Sequence, residues 1–210
     1  MLVKLIAWSS GLVKDPRRLV LLAIKTSAGK LKEKPLEHYL KEYPEDRLSE
    51  WLLQAVKYPS TLEHITFTFY IEGISRVTSH QLVRHRIASY TQESQRYSTA
   101  ENDYITPPSI ANNMWELKFK EYVNKAYELY NEMIKSGIPY EDARYILPQA
   151  SSTRLLMTVN LREFIHIACL RTSIHAQWEI KELLNSMVNE VSKVIPEINE
   201  LILKGCEEGI

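Results

Sequence analysis

The chain has 210 residues, 45% of them hydrophobic and 25% charged, so it is long enough to bury a sizeable core and short enough for one domain over residues 1–210. Its formal net charge is zero, so no global basic field favours binding to a nucleic acid polymer. The longest strictly aliphatic run, residues 19–24, is far below the roughly 18 apolar residues of a membrane-spanning helix. Because the first residues also lack the layout of a secretory signal, we expect a cytoplasmic protein that makes no use of a membrane.

The first half of the chain predicts two strands separated by two helices. Residues 1–8 predict an opening strand, and Asp15 followed by Pro16 predicts the start of a helix that reaches about Ala28. Apolar residues at three-to-four spacing predict a second helix over residues 46–57, which should stop before Pro59. Residues 65–71 alternate between apolar and polar side chains, which is typical of a strand.

The second half is predicted to be mostly helical. We expect a helix over residues 75–87, extended structure over 89–98, and a short helix over 140–146. A long helix over 114–135 places aromatic residues, Tyr122 and Tyr130 among them, on a face that we expect to be core. After a strand over 153–159, Asn160 and Glu163 resemble a capping box, which predicts a helix to about Arg171. A last helix from about His175 to Val194 completes an α+β protein that is rich in helix.

Two cysteines occur, Cys169 and Cys206, and their spacing matches neither a zinc site nor a disulfide framework. We expect both to be reduced thiols. Cys169 lies in an apolar helical run and Cys206 close to the last residue, so neither has the surroundings of an activated nucleophile. No spacing of histidines and acids predicts a metal site.

Arginine and lysine are segregated along the chain. No lysine occurs between Tyr58 and Leu117 or between Ser136 and Ile180. The planar fork of arginine suits bidentate contact with a phosphate or a pyrimidine edge, whereas lysine is typical of exposed helix faces. The two segments are therefore predicted to bind an anion, unless their arginines form buried ion pairs. They carry Arg76, Arg84, Arg86, Arg96, Arg144, Arg154, Arg162 and Arg171.

No glycine-rich phosphate loop can be assembled from the sequence, so side chains must bind any phosphate. The Arg-His-Arg sequence of residues 84–86, on a helix, would fan its side chains about 100° apart and could not address one small ligand. Gln92, Ser94 and Arg96 recur at a period of two, so an extended segment would turn all three to one face. An amide, a hydroxyl and a guanidinium on one face predict a phosphate or nucleoside site.

The segment RHRIASYTQESQRYS, with a serine eight residues beyond the second arginine, resembles the signature of the flavin-dependent thymidylate synthases. The resemblance extends over nearly the whole chain, because STLEHITFTF precedes this segment and three further blocks follow it in the same order as in the family. These blocks are ARYILP, TVNLREFIHIACLR and HAQWEI.

The resemblance implies a homotetramer whose subunits fold around a small, mostly antiparallel sheet, with FAD and dUMP meeting at sites built from more than one subunit. By motif position, the FAD contacts would be Ser60, Arg84, His85, Arg86, Gln92, Asn160, Leu161, Arg162 and His166. The dUMP contacts would be Gln81, Leu82, Val83, Arg84, Gln92, Glu93, Ser94, Gln95, Arg96, Arg144 and Arg171.

The resemblance also implies a reaction, the reductive methylation of dUMP to dTMP. Methylenetetrahydrofolate would supply the carbon, and FAD reduced by NADPH the reducing equivalent, with release of tetrahydrofolate. Arg171 would be the catalytic residue, because a guanidinium against N3 and the adjacent carbonyl of uracil stabilises the electron-rich form of C5.

Three positions depart from the family pattern: Tyr58 replaces a histidine, Gln92 an acid, and His166 an asparagine. Two other readings stay open at this point. One is a non-enzymatic nucleotide- or RNA-binding protein that uses the same arginines for phosphate, and the other is a cysteine-dependent thymidylate synthase.

Overall fold

The computed structural model describes all 210 residues, which form four strands and eight α-helices joined by loops, short 3-10 turns and one π-helical turn, His38–Glu42. No helix is long and apolar enough to cross a membrane. The strands are β1 (Leu2–Trp8), β2 (Thr66–Ser75), β3 (Ser89–Gln92) and β4 (Ser152–Asn160). The helices are α1 (Arg17–Ser27), α2 (Leu48–Gln54), α3 (Arg76–Leu82), α4 (Glu116–Lys135), α5 (Tyr140–Ala143), α6 (Leu161–Arg171), α7 (Trp178–Ser192) and α8 (Ile198–Glu208).

The four strands form one antiparallel sheet in the order β1-β2-β4-β3. Its two central strands place alternate residues on a buried face, where Phe67 lies opposite Val159 and Phe69 opposite Met157. The other face carries polar residues, as expected for an antiparallel sheet covered on one side. The prediction of an α+β, helix-rich fold around a small antiparallel sheet is confirmed.

Helices α6, α7 and α8 contribute to the core cluster of 28 buried residues that covers this sheet. Phe164 of α6 stacks on Phe69 with ring centroids 5.8 Å apart, which adds to the burial of both rings. Gly205 lets α8 approach α6 closely, because a Cβ at this position would lie 2.5 Å from Cγ2 of Ile165. The helix that carries Arg171 is thus held from both sides.

The predicted helix over 75–87 is wrong in its second half. Helix α3 ends at Leu82, and residues 83–88 form turns before β3. The hydroxyl of Tyr90 donates to the carbonyls of Leu82 and His85, at 2.9 and 3.1 Å, and so satisfies groups that the helix would otherwise have paired. The Arg-His-Arg side chains of residues 84–86 therefore do not fan around a helix, contrary to the prediction.

The predicted extended segment over 89–98 is also too long. Strand β3 stops at Gln92, and residues 94–97 turn, with Tyr97 N donating to the carbonyl of Ser94 at 3.3 Å. The Ser94 hydroxyl also accepts from Arg96 N at 3.2 Å, a local bond that competes with strand pairing. Gln92, Ser94 and Arg96 therefore do not share the face of one strand.

The predicted long helix is confirmed as α4, but its aromatic face is not wholly core. Val123, Tyr127 and Tyr130 are buried, whereas the side chain of Tyr122 is 73% exposed. The helix predicted from His175 begins at Trp178, because the Gln177 side chain accepts from the first backbone N–H groups of α7.

The prediction of two reduced thiols is wrong: Cys169 and Cys206 form a disulfide. Helix α8 is absent from the sequence-based prediction, which describes Cys206 only as close to the last residue. Cys206 lies on a helix packed against α6, with its Cα 5.5 Å from that of Cys169. The disulfide joins the two helices across 37 residues of sequence.

Candidate active site

The amino end of α6 is fixed by a side-chain cap. The Asn160 side-chain oxygen accepts from Glu163 N at 2.8 Å, which confirms the predicted start of the helix. The reciprocal bond of a capping box is absent, because the Glu163 carboxyl lies near His85 instead. Helix α6 thus presents Arg162, His166 and Arg171 from one well-anchored element.

His85 and Arg171, two predicted site residues 86 positions apart, are in direct contact. Arg171 Nε donates to His85 Nε2 at 3.1 Å. The imidazole is buried, and this burial, together with the positive charge of Arg171 and the nearby His166, lowers the pKa of His85 to about 4. His85 is therefore neutral at physiological pH, which leaves Nε2 free to accept from the guanidinium.

His85 has two further neighbours on α6. Its Nδ1 lies 3.8 Å from Oε1 of Glu163, and its ring stands edge-on to that of His166 with centroids 6.4 Å apart. His166 Nδ1 lies 3.1 Å from the carbonyl oxygen of Ile210, which links α6 to the residue that follows Gly209. Burial raises the pKa of Glu163 above its ordinary value. Sequence reasoning gave Glu163 only a capping role.

Arg84 and Arg86 flank His85 in the turn between α3 and β3, and both are exposed. Neither guanidinium forms an ion pair within the chain, in contrast to Arg96, Arg154 and Arg162 of the lysine-free segments. Exposed, unpaired guanidinium groups on either side of a buried imidazole can bind an anion such as a pyrophosphate.

Ser60 lies on the turn Pro59–His64, at the edge of a groove of about 970 Å³. The groove also contains the exposed Tyr58 and the ring of Trp51, so a polar hydroxyl adjoins aromatic surface. Arg162 reaches the same turn through Glu63, with Nη1 and Oε1 2.6 Å apart. None of residues 84–86 lines this groove.

Gln92 ends β3 and points its amide into the protein. Its Nε2 donates to the hydroxyls of Ser79 and Thr153, at 3.0 and 3.1 Å. The next residue, Glu93, is held by its backbone, since its carbonyl accepts from Arg76 Nη2 at 3.3 Å and its N–H donates to the Arg154 carbonyl at 3.0 Å. The start of the predicted dUMP segment is therefore anchored from several elements.

Arg96 and Arg144 are brought together by Glu141. Arg96 Nε and Nη2 lie 3.1 and 2.9 Å from Glu141 Oε2, and Arg144 Nε donates to the Glu141 carbonyl at 3.1 Å. Arg96 and Glu141 are each about half exposed, at 51% and 49% of the side chain. A carboxylate thus occupies the guanidinium fork that the sequence assigned to dUMP.

The remaining predicted residues are of two kinds. Leu82 and Leu161 are fully buried, so only their backbone groups can face a ligand. The partly exposed side chains are those of Gln81, Val83, Glu93, Ser94 and Gln95. Arg154 pairs with Glu72, Glu93 and Glu101, which fits a structural ion-pair role rather than ligand binding.

Comparison with known proteins gives the family of the chain. The family model described as "Thymidylate synthase complementing protein" matches residues 4–197. The flavin-dependent thymidylate synthase of Sulfolobus acidocaldarius is 42% identical over 215 residues, covering 98% of this chain and 78% of the relative. The enzyme of the same name from Clostridium tetani is 37% identical and covers 89% of this chain and 84% of the relative.

A solved structure shares the fold. The UMP/dUMP methylase PolB from Streptomyces cacaoi, bound with 5-Br dUMP, superposes with a TM-score of 0.80 at 22% identity, over 96% of this chain and 94% of that chain. Fold and site together define an α+β enzyme that holds arginines around a buried histidine. The family match and the relatives show that the chain belongs to the flavin-dependent thymidylate synthases.

Proposed function

We propose that the protein methylates dUMP to dTMP, with methylenetetrahydrofolate as carbon donor and FAD, reduced by NADPH, as cofactor. Tetrahydrofolate is the second product. The observation that carries this proposal is the contact between His85 and Arg171, which joins the signature turn to the end of α6 at 3.1 Å.

The residues present fit a flavin dinucleotide. Arg84 and Arg86 supply unpaired guanidinium groups suited to a pyrophosphate, and His85 stands between them. Ser60 offers a hydroxyl beside the aromatic surface of Tyr58 and Trp51. A groove with aromatic walls and a few polar groups suits the planar ring of a flavin. When bound, the flavin supplies the reducing equivalent of the reaction. We assign Gln92, Asn160, Leu161, Arg162 and His166 to the same cofactor.

Arg171 is the residue that we assign to activation of the pyrimidine. Its Nε is engaged by His85, whereas its two terminal nitrogens make no hydrogen bond within the chain. They are free to donate to the N3 and carbonyl edge of uracil and so to stabilise the electron-rich, enolate-like form of the ring, whose C5 attacks the carbon donor. The guanidinium needs no reorganisation at that moment because its Nε is already held.

A covalent mechanism through cysteine has no support in this structure. The two cysteines are joined in a disulfide, so neither offers a free thiol to the pyrimidine. Ring activation by Arg171 therefore replaces covalent activation in our proposal.

We also propose that the protein self-associates, as a homotetramer with shared active sites. Large apolar side chains beside the assigned site residues are exposed in the single chain, which favours burial against another subunit. Ile87 follows Arg86, and Tyr145 follows Arg144, at 70% and 85% exposure. Tyr97 next to Arg96, and Ile174 three residues after Arg171, are 80% and 86% exposed.

The visible spectrum of the purified protein tests the cofactor, and a reaction with dUMP tests the activity. We expect flavin absorbance that NADPH bleaches, and dTMP formation that requires dUMP and methylenetetrahydrofolate. A colourless protein that rejects added FAD would refute the assignment and favour a nucleotide-binding protein without this activity.

A mixture of two variants, assayed at a low dUMP concentration at which each alone is inactive, tests the shared site. If Arg96 and Arg171 act from different subunits, reassociated mixtures of Arg96→Ala and Arg171→Ala contain some intact sites and regain activity. Each variant alone is the control. A mixture as inactive as its components, in a demonstrated mixed oligomer, argues for sites built within one subunit.

A further inference from the structure

Glu163 is a buried acid that the proposed chemistry does not yet use. Its side chain is 8% exposed, and no hydrogen bond within the chain reaches its carboxyl oxygens. The nearest polar atom given by the structure is Nδ1 of His85, 3.8 Å from Oε1. A buried carboxyl without a hydrogen-bond partner is costly, so its presence at this point calls for a role.

The contact between Arg171 and His85 defines the proton position on the imidazole. Arg171 Nε can only donate, so His85 Nε2 must accept, and the ring proton must lie on Nδ1. The Nδ1 atom that carries this proton lies 3.8 Å from Oε1 of Glu163. The other groups around the ring are His166 on α6 and the Tyr90 hydroxyl, which binds the His85 backbone carbonyl.

We propose that Glu163 is a positioning residue that holds the proton of His85 on Nδ1 and thereby keeps Nε2 available to orient Arg171. The carboxyl attracts the N–H dipole across 3.8 Å, and both side chains are largely buried, at 6% and 8% exposure, which strengthens this attraction. The opposite tautomer would place an N–H against the Arg171 guanidinium and displace it from the pyrimidine. This inference rests on the proposed function, since Arg171 is its target.

Glu163→Gln tests this role because it preserves size, removes the negative charge that attracts the proton on Nδ1, and adds an amide N–H that can donate to Nδ1. We expect kcat to fall about ten- to a hundredfold, as for other residues that orient a catalytic group. The KM for dUMP and the affinity for FAD should stay within about twofold, since the binding groups are unchanged. A kcat within twofold of wild type, or a parallel loss of FAD binding, would overturn the proposal.

Glu179→Gln is the matched control. Glu179 is also a buried acid, but it accepts from Ser75 N and Oγ, at 2.6 and 2.5 Å, and anchors the start of α3. We expect this variant to unfold at a lower temperature without the selective loss of kcat. An equal fall of kcat in both variants would show that loss of a buried carboxylate alone accounts for the effect.

Ring-nitrogen NMR of selectively labelled histidine reads the tautomer without turnover. In the wild-type protein we expect the proton of His85 on Nδ1. In Glu163→Gln we expect a larger fraction of the molecules to carry it on Nε2. A proton on Nδ1 in both proteins would overturn the proposal. If the wild-type protein fails to methylate dUMP, the proposed function is refuted, while these spectra still decide whether Glu163 controls His85.

Discussion

Two regions of the site differ in how completely a single chain builds them. Around α6, His85, Glu163 and Arg171 are packed together, and a cap and a disulfide fix the helix at either end. Around the turn that follows β3, the guanidinium of Arg96 is held at the surface, by an ion pair with Glu141 and by the ring of Tyr97, 5.6 Å away. Exposed ion pairs contribute at most about 1 kcal/mol, so a ligand can replace this one.

This difference indicates which groups of the site are already oriented before the ligands bind. A group that stabilises charge in a transition state gains most when it is already oriented, as Arg171 is. A phosphate-binding group can exchange one partner for another on binding, as Arg96 can. We therefore expect changes near α6 to affect kcat and stability, and changes near Arg96 to affect mainly KM.

Arg171→Lys should produce the largest effect on turnover. Lysine keeps the positive charge but lacks the planar fork that contacts His85, N3 and the adjacent carbonyl of the pyrimidine at once. We expect kcat to fall by about 10²–10³-fold, the range for loss of a preorganised donor. Steady-state kinetics measures kcat, and flavin absorbance after gel filtration shows whether FAD is still bound, as we expect. Near-normal turnover would remove Arg171 from the mechanism.

The disulfide between α6 and α8 should give the next largest effect, on stability. The disulfide links residues 37 apart in sequence and so restricts the unfolded chain. Loss of the disulfide should lower the free energy of unfolding by about 3–4 kcal/mol. Denaturant unfolding of the wild-type protein, with and without a dithiol, measures this. Cys206→Ser is the control, because reductant should not change its midpoint. A midpoint in the wild type that reductant leaves unchanged contradicts the prediction.

Protonation of His85 should couple stability to pH in the same region. Burial lowers its pKa from 6.5 to about 4 in the folded protein, so below pH 6.5 the unfolded chain binds the proton more tightly and stability falls with decreasing pH. Between pH 7 and pH 5 this contribution is about 2 kcal/mol. His85→Gln keeps an acceptor for Arg171 but does not titrate, so its unfolding free energy should fall less over this range. Identical pH dependence in both proteins would contradict the assignment.

The family, the sheet and the long elements could be predicted from the sequence because they depend on local periodicity and on ordered motifs. The cap at Asn160 is of this kind, since it involves only residues three apart. The end of α3 could not be predicted in this way, because Tyr90 of the next strand terminates the helix. Helix α8 was missed although Ile198 and Leu201 are spaced for a helix, and the disulfide was missed with it.

The site was predicted as a set of residues but not as an arrangement. Arg171 and His85 could be chosen by motif, whereas their contact depends on α6 packing beside the signature turn. Glu163 was seen only as part of a local cap, because burial against His85 is a tertiary property. The pairing of Arg96 with Glu141 could not be predicted from the sequence either, since no local pattern joins residues 45 apart.

Glu141→Gln should produce the smallest effect, a change in the KM for dUMP. It is also the most specific test of the exposed region around Arg96. The carboxylate of Glu141 occupies the Arg96 fork at 2.9 and 3.1 Å, so it competes with the phosphate of dUMP for the same donors. Removal of its charge should lower the KM for dUMP by up to about fivefold, the equivalent of a surface ion pair, without a change in kcat.

Glu121→Gln is the matched control for this variant, because Glu121 forms a similarly exposed pair with Lys125 on α4. Its KM for dUMP should equal that of the wild type. If Glu141→Gln instead raises the KM, Glu141 orients Arg96 for the phosphate rather than competing with it. The exposed region would then be preorganised like α6, and the contrast between the two halves of the site would be lost.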